Sequence, residues 1–478
     1  MTGLRIVTIA GTDTVLEERI VEEFGVKLRG ELLRSGDTGY DEARRVWNGV
    51  IDKHPALVVR CMSAADVINS VNFARDNHLL LAVRGGGHNV VGTATVDGGL
   101  LIDLSSMKGI HIDPERRTAR AEGGVTIGEL DRKTQAFGLA TPLGVVSETG
   151  IAGLTLGGGL GWLMRKYGLS CDNLVSVEVV TSDGRFLTAS EEENPELFWG
   201  IRGGGGNFGV VTCFEYRLHP VGPEVMFGFV FYPGDRAKEV LRFLNEYMAQ
   251  VRDEVSPVGV LGWVLHDQTF PKKCHGEHYV ALLAMHAGDV EEGKRVLQPL
   301  RELREPIADF SGSIPYVEAQ KLLDEFYPEG GRYYWKSTNV DRLDDEAIER
   351  LIAHAETAPS QHSTNHIWYQ GGAVGRIKTS ETAFGDRSAP MLLSIEANWE
   401  DPQDDEANVA WVQECVFDMR RFSDGGTYLN FAGFLEEGDK LIRDAYGENY
   451  ERLVALKNEY DPTNLFRLNQ NIKPNRVG

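Results

Sequence analysis

AVRGGGHNVVG, residues 82–92, runs from a short apolar segment into three consecutive glycines, then His88 and Asn89. A strand ending in glycines offers successive backbone N–H groups with no Cβ in the way, a geometry that cradles a pyrophosphate. His88 stands just beyond that cradle. A lone histidine is also a common structural residue, so this segment leaves both roles open. Two more glycine-rich stretches follow. SETGIAGLTLGGGLGWLMRKYGLSCDN (147–173) reads as a short apolar helix between two glycine turns, ending in Asp172-Asn173. In LFWGIRGGGGNFGVVT (197–212), Gly204, Gly206 and Gly209 fit GxGxxG literally, but they lead into the strand-like VVTCFEYRL (210–218). A dinucleotide fingerprint follows a strand and opens a helix, so a nicotinamide Rossmann domain is disfavoured.

Outward from these junctions, residues up to about 220 read as mixed α/β. ALVVRC (56–61), LLIDLSSM (100–107), GIHIDPERRTARAEGG (109–124) and SVEVVTSDGRFLTA (176–189) are strand and hairpin material. SAADVINSVNFARDN (63–77) and TIGELDRKTQAFG (126–138) have helical periodicity, the first opened by Ser63 and the second closed by Gly138. Residues 1–45 read as a helical lead-in on the spacing of LEERIVEEF. From about 224 to 427, strands (225–233, 278–287, 332–340, 366–372, 391–399) alternate with amphipathic helices (about 235–250, 289–304, 344–357, 405–422). That pattern predicts an antiparallel sheet with helices on one face, its other face covered by the first part or a ligand.

Composition narrows the function. The chain has 478 residues, 54 of them glycine, and 71 acidic against 49 basic residues give a net charge of −22. Such a surface repels phosphate backbones, so nucleic acid is a poor partner. Five widely spaced cysteines, odd in number and without a CxxC, read as buried thiols in a reducing compartment. The N-terminal apolar stretch is too short for a secretory signal, and no apolar run of ~18 residues predicts a membrane span; the expectation is cytoplasmic. CHGEH (274–278) and QHSTNH (361–366) hold ligand-type residues, but neither has a second cluster to complete a tetrahedral site, so no metal is expected.

RGGGHN, GIAGLTLGGGLGWLMRKYGLSCDN, RGGGGNFGVVT and the C-terminal YLNF…YDPTNLFRLNQNI together resemble the flavin-linked oxidases of the berberine-bridge-enzyme type. These belong to the vanillyl-alcohol-oxidase superfamily, and the likeness extends over roughly residues 45–478. The bacterial 6-hydroxynicotine oxidases and the polyketide-tailoring oxidases are nearest in texture. The resemblance implies a two-part α+β fold. Residues 1–221 (core about 52–221) would bind FAD, 222–427 would form the substrate part, and 428–478 would complete the FAD part.

The resemblance further implies that FAD is held through its 8α-methyl group by His88, with Arg84, Gly85, Gly86, Gly87, Asn89 and Gly92 around the first cradle. Thr149, Gly150, Gly153, Leu154, Gly157, Gly158, Gly161, Asp172 and Asn173 would come from the second stretch. Gly209, Val210 and Val211 would come from the third, and Tyr428, Asn430 and Asn469 from the C-terminus. Some members make a second link from a cysteine four residues before the position of Gly150; this chain has Val146 there, so a single link is expected. Thr149 matches the position that gates oxygen toward the flavin, and its small size favours an oxidase.

Candidate catalytic residues are Tyr428, Glu396, Gln370, Lys336, Tyr334 and Thr149. Alternation puts Trp368 with Gln370, Tyr334 with Lys336, and Ser394, Glu396 and Asn398 on one face opposite Leu393, Ile395, Ala397 and Trp399. The apolar set should pack on helices, turning Glu396 toward the flavin; a salt-bridged Glu396 is the alternative. As the base, Tyr428 is ranked slightly ahead of Glu396. The implied activity is hydride transfer from a small alcohol, hemiacetal or hydroxylated metabolite to FAD, with reoxidation by O2 to H2O2. A polyketide-type tailoring monooxygenase or dual oxidase, and a non-catalytic flavin-binding protein, are the alternatives. A monomer or homodimer is expected.

Overall fold

The computed structural model describes residues 3–266, 268–423 and 425–475; the outermost ends of the first and last sequence-defined parts lie outside these. The glycine junctions grow out of two sheets. In the first, Glu31–Leu33, Leu57–Arg60, Leu100–Asp103 and Leu81–Arg84 lie side by side in that order, and the last three are parallel. Helix Ala64–Asp76, begun at Ser63, connects two of them. The second is an antiparallel sheet ordered Phe186–Ser190, Leu174–Val180, Val210–Arg217, Thr118–Glu122, Ile110–Asp113. Helix Ile127–Gln135 follows, with Thr126 and Glu129 forming a capping box.

The third sheet is antiparallel, in the order Ala308–Asp309, Glu224–Pro233, His278–His286, Val255–Trp263, Thr364–Tyr369, Met391–Trp399, Arg332–Val340, with Gly312–Pro315 added beside Glu224–Pro233. It consists of two copies of one strand–helix–strand–strand–helix unit. Helices Ala237–Met248 and Val290–Arg301 belong to the first copy, and Asp345–Glu356 and Asp405–Met419 to the second. The copies meet where Val258 pairs with Trp368 and Leu261 with Asn365. No sequence repeat announces this symmetry. Leu393, Ile395, Ala397 and Trp399 pack with the helices, whereas Trp335, Trp368 and Leu392 belong to a separate cluster on the other face with Trp162 and Tyr428.

Two expectations are corrected. The N-terminal lead-in is not wholly helical: Gly3–Val7 and Asp13–Glu17 form an antiparallel hairpin before helix Glu18–Val26. Its alternating β-branched residues suit a ribbon better than a helix. Strand Val255–Trp263 was not anticipated, because Pro257, Gly259 and Gly262 read as loop residues. Gly259 lets the covering helix pack closely: a Cβ would come within 3.2–3.3 Å of Leu241 and Leu244 and press on their side chains.

Candidate active site

Between the glycine junctions and the helix-free face of the large sheet lies a cavity of about 1680 Å³, including its mouth. One wall is mostly backbone. Gly85, Gly86, Gly87, Asn89, Thr149, Gly150, Gly153, Leu154, Gly157 and Gly209–Val211 line it, with His88 and Val146 among them and Asn469 arriving from the C-terminus. The opposite wall is aromatic, from Tyr327, Trp335, Trp368 and Phe431, with Glu396 and His366 as its polar groups; Tyr428 and Asn430 stand at the seam. The first two glycine loops touch. A Cβ on Gly86 would lie 2.4 Å from the Gly150 nitrogen, and one on Gly150 would lie 2.4 Å from the Gly86 nitrogen.

His88 stacks on Trp47 with ring centroids 4.1 Å apart and an interplanar angle of 17°. Its Nε2 is buried and has no hydrogen-bond partner. Burial pushes the imidazole down to about 4, so the ring is neutral at ordinary pH.

Glu396 faces the cavity because it pairs across the sheet with Trp335 and Thr364 on the helix-free face. Its Oε2 accepts from the Tyr327 hydroxyl at 2.7 Å and its Oε1 from the Ser394 hydroxyl at 2.7 Å. His366 lies 3.7 Å from Oε1, with its basicity lowered chiefly by burial and only partly restored by Glu396. The Tyr428 hydroxyl accepts from the Gly159 N–H at 3.1 Å and from Asn430 Nδ2 at 2.7 Å. Burial pushes it up to about 12 despite those two donors.

Several sequence-picked residues are not brought to the cavity. Tyr334 pairs with Ala397 and Lys336 with Ile395, which places both on the helix-bearing face. There Tyr334 donates to Glu436, and Lys336 Nζ meets Glu437 at 2.6 Å and Glu436 at 3.3 Å. Gln370 lies past the end of its strand, with its carbonyl accepting from Arg165. Arg84 turns from the cradle to Asp103, at 2.8 and 3.0 Å, and to the Arg45 carbonyl. Asp172 forms a buried pair with Arg387 at 2.6 and 2.9 Å. Asn173 ties the Tyr167 and Leu169 carbonyls to His219. Gly92, Gly158 and Gly161 also lie off the wall: Gly92 packs on Ile51, Gly158 on Phe384, and Gly161 against the Leu143 carbonyl. The charged groups and Asn173 shape the junctions through these protein partners, and Gln370 does so through its backbone carbonyl.

The sequence reading missed Trp47, Tyr327 and His366. Trp47 and Tyr327 sit in irregular segments where no periodicity assigns a face. His366 shares a face with Trp368, so strand alternation contained its signal. Among the described residues no cluster of His, Cys, Asp or Glu side chains is arranged to hold a metal ion, and no helix is long and apolar enough to cross a membrane.

The donor set fits FAD. Glycine backbone walls admit a flat ring and a pyrophosphate at close range, and His88, whose Nε2 has no hydrogen-bond partner, is among the residues that line the same space. Comparisons with known proteins agree. Residues 55–190 match the FAD binding domain family and residues 427–473 the berberine and berberine-like family. The chain is 31% identical to the (R)-6-hydroxynicotine oxidase of Paenarthrobacter nicotinovorans, covering 94% of this chain and 98% of that one. The crystal structure of 6-hydroxy-D-nicotine oxidase from Arthrobacter nicotinovorans superposes with a TM-score of 0.84 at 31% identity, over 93% and 98% of the two chains. Berberine bridge enzyme from Eschscholzia californica shares the fold, with a TM-score of 0.84 at 21% identity over 95% and 99%. With cradle, fold and both family segments in one chain, this protein belongs to the berberine-bridge-enzyme-like FAD-linked oxidoreductases, on the two-part α+β fold of the vanillyl-alcohol-oxidase superfamily.

Proposed function

We propose that the protein is an oxidase of a hydroxylated small molecule with a flat apolar body, and that Glu396 is the base that takes the substrate's hydroxyl proton. The observation that carries this reading is the setting of Glu396. It is a carboxylate on the cavity wall, held by two hydroxyl donors, and its neighbour His366 at 3.7 Å has its basicity lowered by burial. Trp335, Trp368 and Phe431 give a planar substrate aromatic surface on which to lie. Tyr428 is less suited, reversing the order expected from sequence. Two N–H donors occupy its oxygen, and a phenol held near 12 keeps its proton at neutral pH and so cannot take up another as a base. Its place is to orient: the hydroxyl gathers the Gly159 loop and Asn430 at the seam.

FAD, when bound, supplies the two-electron acceptor that O2 reoxidises with release of H2O2. We infer that residues up to 221 and from 428 onward hold it, that 222–427 carry the substrate wall, and that His88 makes the single covalent link. The unpartnered Nε2 of His88 supports that link, and the apolar Val146 on the same wall, where a second link would need a cysteine, supports its being single. Thr149 beside Gly150 leaves space for O2.

The test is anaerobic flavin bleaching across a panel of alcohols, sugars, amines and phenolic enols, followed by stopped-flow on variants. With the best substrate, Glu396→Gln slows flavin reduction ~10²–10⁴-fold, the usual worth of a positioned base, and Tyr428→Phe slows it ~10-fold or less. The reverse ranking returns the base to Tyr428. Acid-denatured wild type stays yellow, with FAD mapped to His88; a freely dissociating flavin would refute the link.

A further inference from the structure

Trp47 precedes the first glycine cradle by some forty residues, does not itself line the cavity, and is held by residues of both its walls. Its indole lies between two rings. On one side His88 is stacked at 4.1 Å and 17°; on the other Tyr333 is stacked at 3.8 Å and 7°. Trp335 meets it edge-on at 5.2 Å. Its Nε1 donates to the Tyr327 carbonyl at 2.9 Å, its own N–H donates to the Gly87 carbonyl at 3.1 Å, and its carbonyl accepts from Gly330 N at 2.9 Å. Asn48 repeats the pattern, with Nδ2 on the Val90 and Tyr333 carbonyls at 2.8 Å each and Oδ1 accepting from Tyr333 N at 3.1 Å. The dipeptide thus pins the RGGGHN loop, on both sides of His88, to the strand that forms the aromatic wall.

We propose that Trp47 is a positioning residue for flavin attachment: by stacking between His88 and Tyr333 it fixes the plane of the imidazole against the cavity and shuts water from it. This rests on the reading of His88 as the attachment point. Forming the link breaks one C–H bond of the 8α-methyl group and the ring N–H, and makes one N–C bond. The two electrons and two protons stay on the flavin as its reduced form, and O2 takes them as H2O2. The protein must therefore present a neutral imidazole nitrogen at one angle to one carbon, and a stacked ring holds that angle while a free ring samples others.

The experiment compares full-length wild type, Trp47→Phe, Trp47→Leu and Tyr333→Leu. Each is purified, precipitated in acid and assayed for flavin in pellet and supernatant, with total FAD and melting temperature measured beforehand. Trp47→Phe keeps a stacking ring and retains the covalent flavin. Trp47→Leu still binds FAD, but its covalent fraction falls at least ~10-fold. Tyr333→Leu, one ring further from His88, falls between them. Full attachment in Trp47→Leu overturns the proposal, as does equal loss in the Phe and Leu variants, which would make the Nε1 bond to Tyr327 the operative contact. If Trp47→Leu does not fold or bind FAD, Trp47→Met is measured in its place; its failure as well would make Trp47 a folding residue and also overturn the proposal. A wild type without covalent flavin refutes the reading of His88 instead.

Discussion

Gly86 and Gly150 sit so close that neither position accepts a Cβ, and Thr149 is the side chain the chain places beside that contact. Its backbone is committed on both sides: Thr149 N donates to the Val146 carbonyl and its carbonyl accepts from Ile127 N. The side chain is therefore free to set the room left over the cavity. Replacing it by leucine adds bulk with no way for the backbone to retreat. Thr149→Leu is expected to slow reoxidation of the reduced flavin by O2 at least ~10-fold more than it slows reduction by substrate, a difference of about 1.4 kcal/mol in barrier. Stopped-flow of both half-reactions checks this, and equal slowing would mean that Thr149 only packs. At this scale much of the site was legible. The glycine runs announced the cradle, and the alternation of LLSIEANW turned Glu396 the right way because one of its faces is wholly apolar. RYYWKSTNV gave no such sign: both faces of that strand are buried, polar and apolar residues are mixed on each, and so Tyr334 and Lys336 were chosen over Trp335.

Helix Ile127–Gln135 and the segment beginning at Tyr316 are joined by a buried polar contact that carries its own pH dependence. Gln320 Nε2 donates to Asp131 Oδ2 at 3.0 Å and to the Gly144 carbonyl at 3.2 Å. Asp131 Oδ1, Gln320 Oε1 and the nearby Tyr316 hydroxyl are buried without partners. Burial raises the Asp131 carboxyl to about 7, with the Gln320 amide opposing. In the unfolded chain the same group titrates near ~3.9, so between those values the folded state holds the extra proton. The contribution is full below pH ~4 and is lost as pH rises through about 7. Asp131→Asn removes the charge, and a turned Gln320 can offer Oε1 to the new amide. The variant should melt at higher temperature than wild type at pH 8, by an amount worth ~2–4 kcal/mol, and gain little at pH 4. Melts at the two pH values decide it, and an equal shift at both would assign the effect to packing. The elements themselves were read with uneven success for a physical reason. Amphipathic helices and β-branched strands of the large sheet carry their period in the sequence, whereas Val255–Trp263 replaces side chains by glycine where a covering helix needs the space.

The molecule closes on itself at its C-terminus, and one buried ion pair does the closing. Lys457 and Asp461 are both fully buried, 2.8 Å apart. Lys457 Nζ also donates to the Asn207 and Phe466 carbonyls at 2.9 Å each, so all three ammonium protons are placed. Asp461 accepts from Leu465 N at 2.8 Å and Phe466 N at 2.9 Å. The motif YDPTNLF is therefore a staple. It turns the chain sharply and fastens the next residues, of which Phe466, Leu468, Asn469 and Gln470 line the cavity, to the glycine loop that ends at Asn207. Asn469 completes the join by donating to the Gly206 carbonyl at 2.9 Å. Removing one member strands the other as a buried charge, which typically costs ~3–5 kcal/mol, whereas removing both costs less because no charge is stranded. Lys457→Met is expected to lose about that much in denaturant unfolding and to bind FAD more weakly, since one wall of the cavity is no longer held. Lys457→Met combined with Asp461→Asn should recover much of the stability but not the FAD affinity, because the Asn207 and Phe466 carbonyls still lack their shared donor. Measured unfolding and FAD titration of the single and double variants separate the two effects; a double variant less stable than Lys457→Met would show that the backbone contacts of Asp461, not its charge balance, hold the turn.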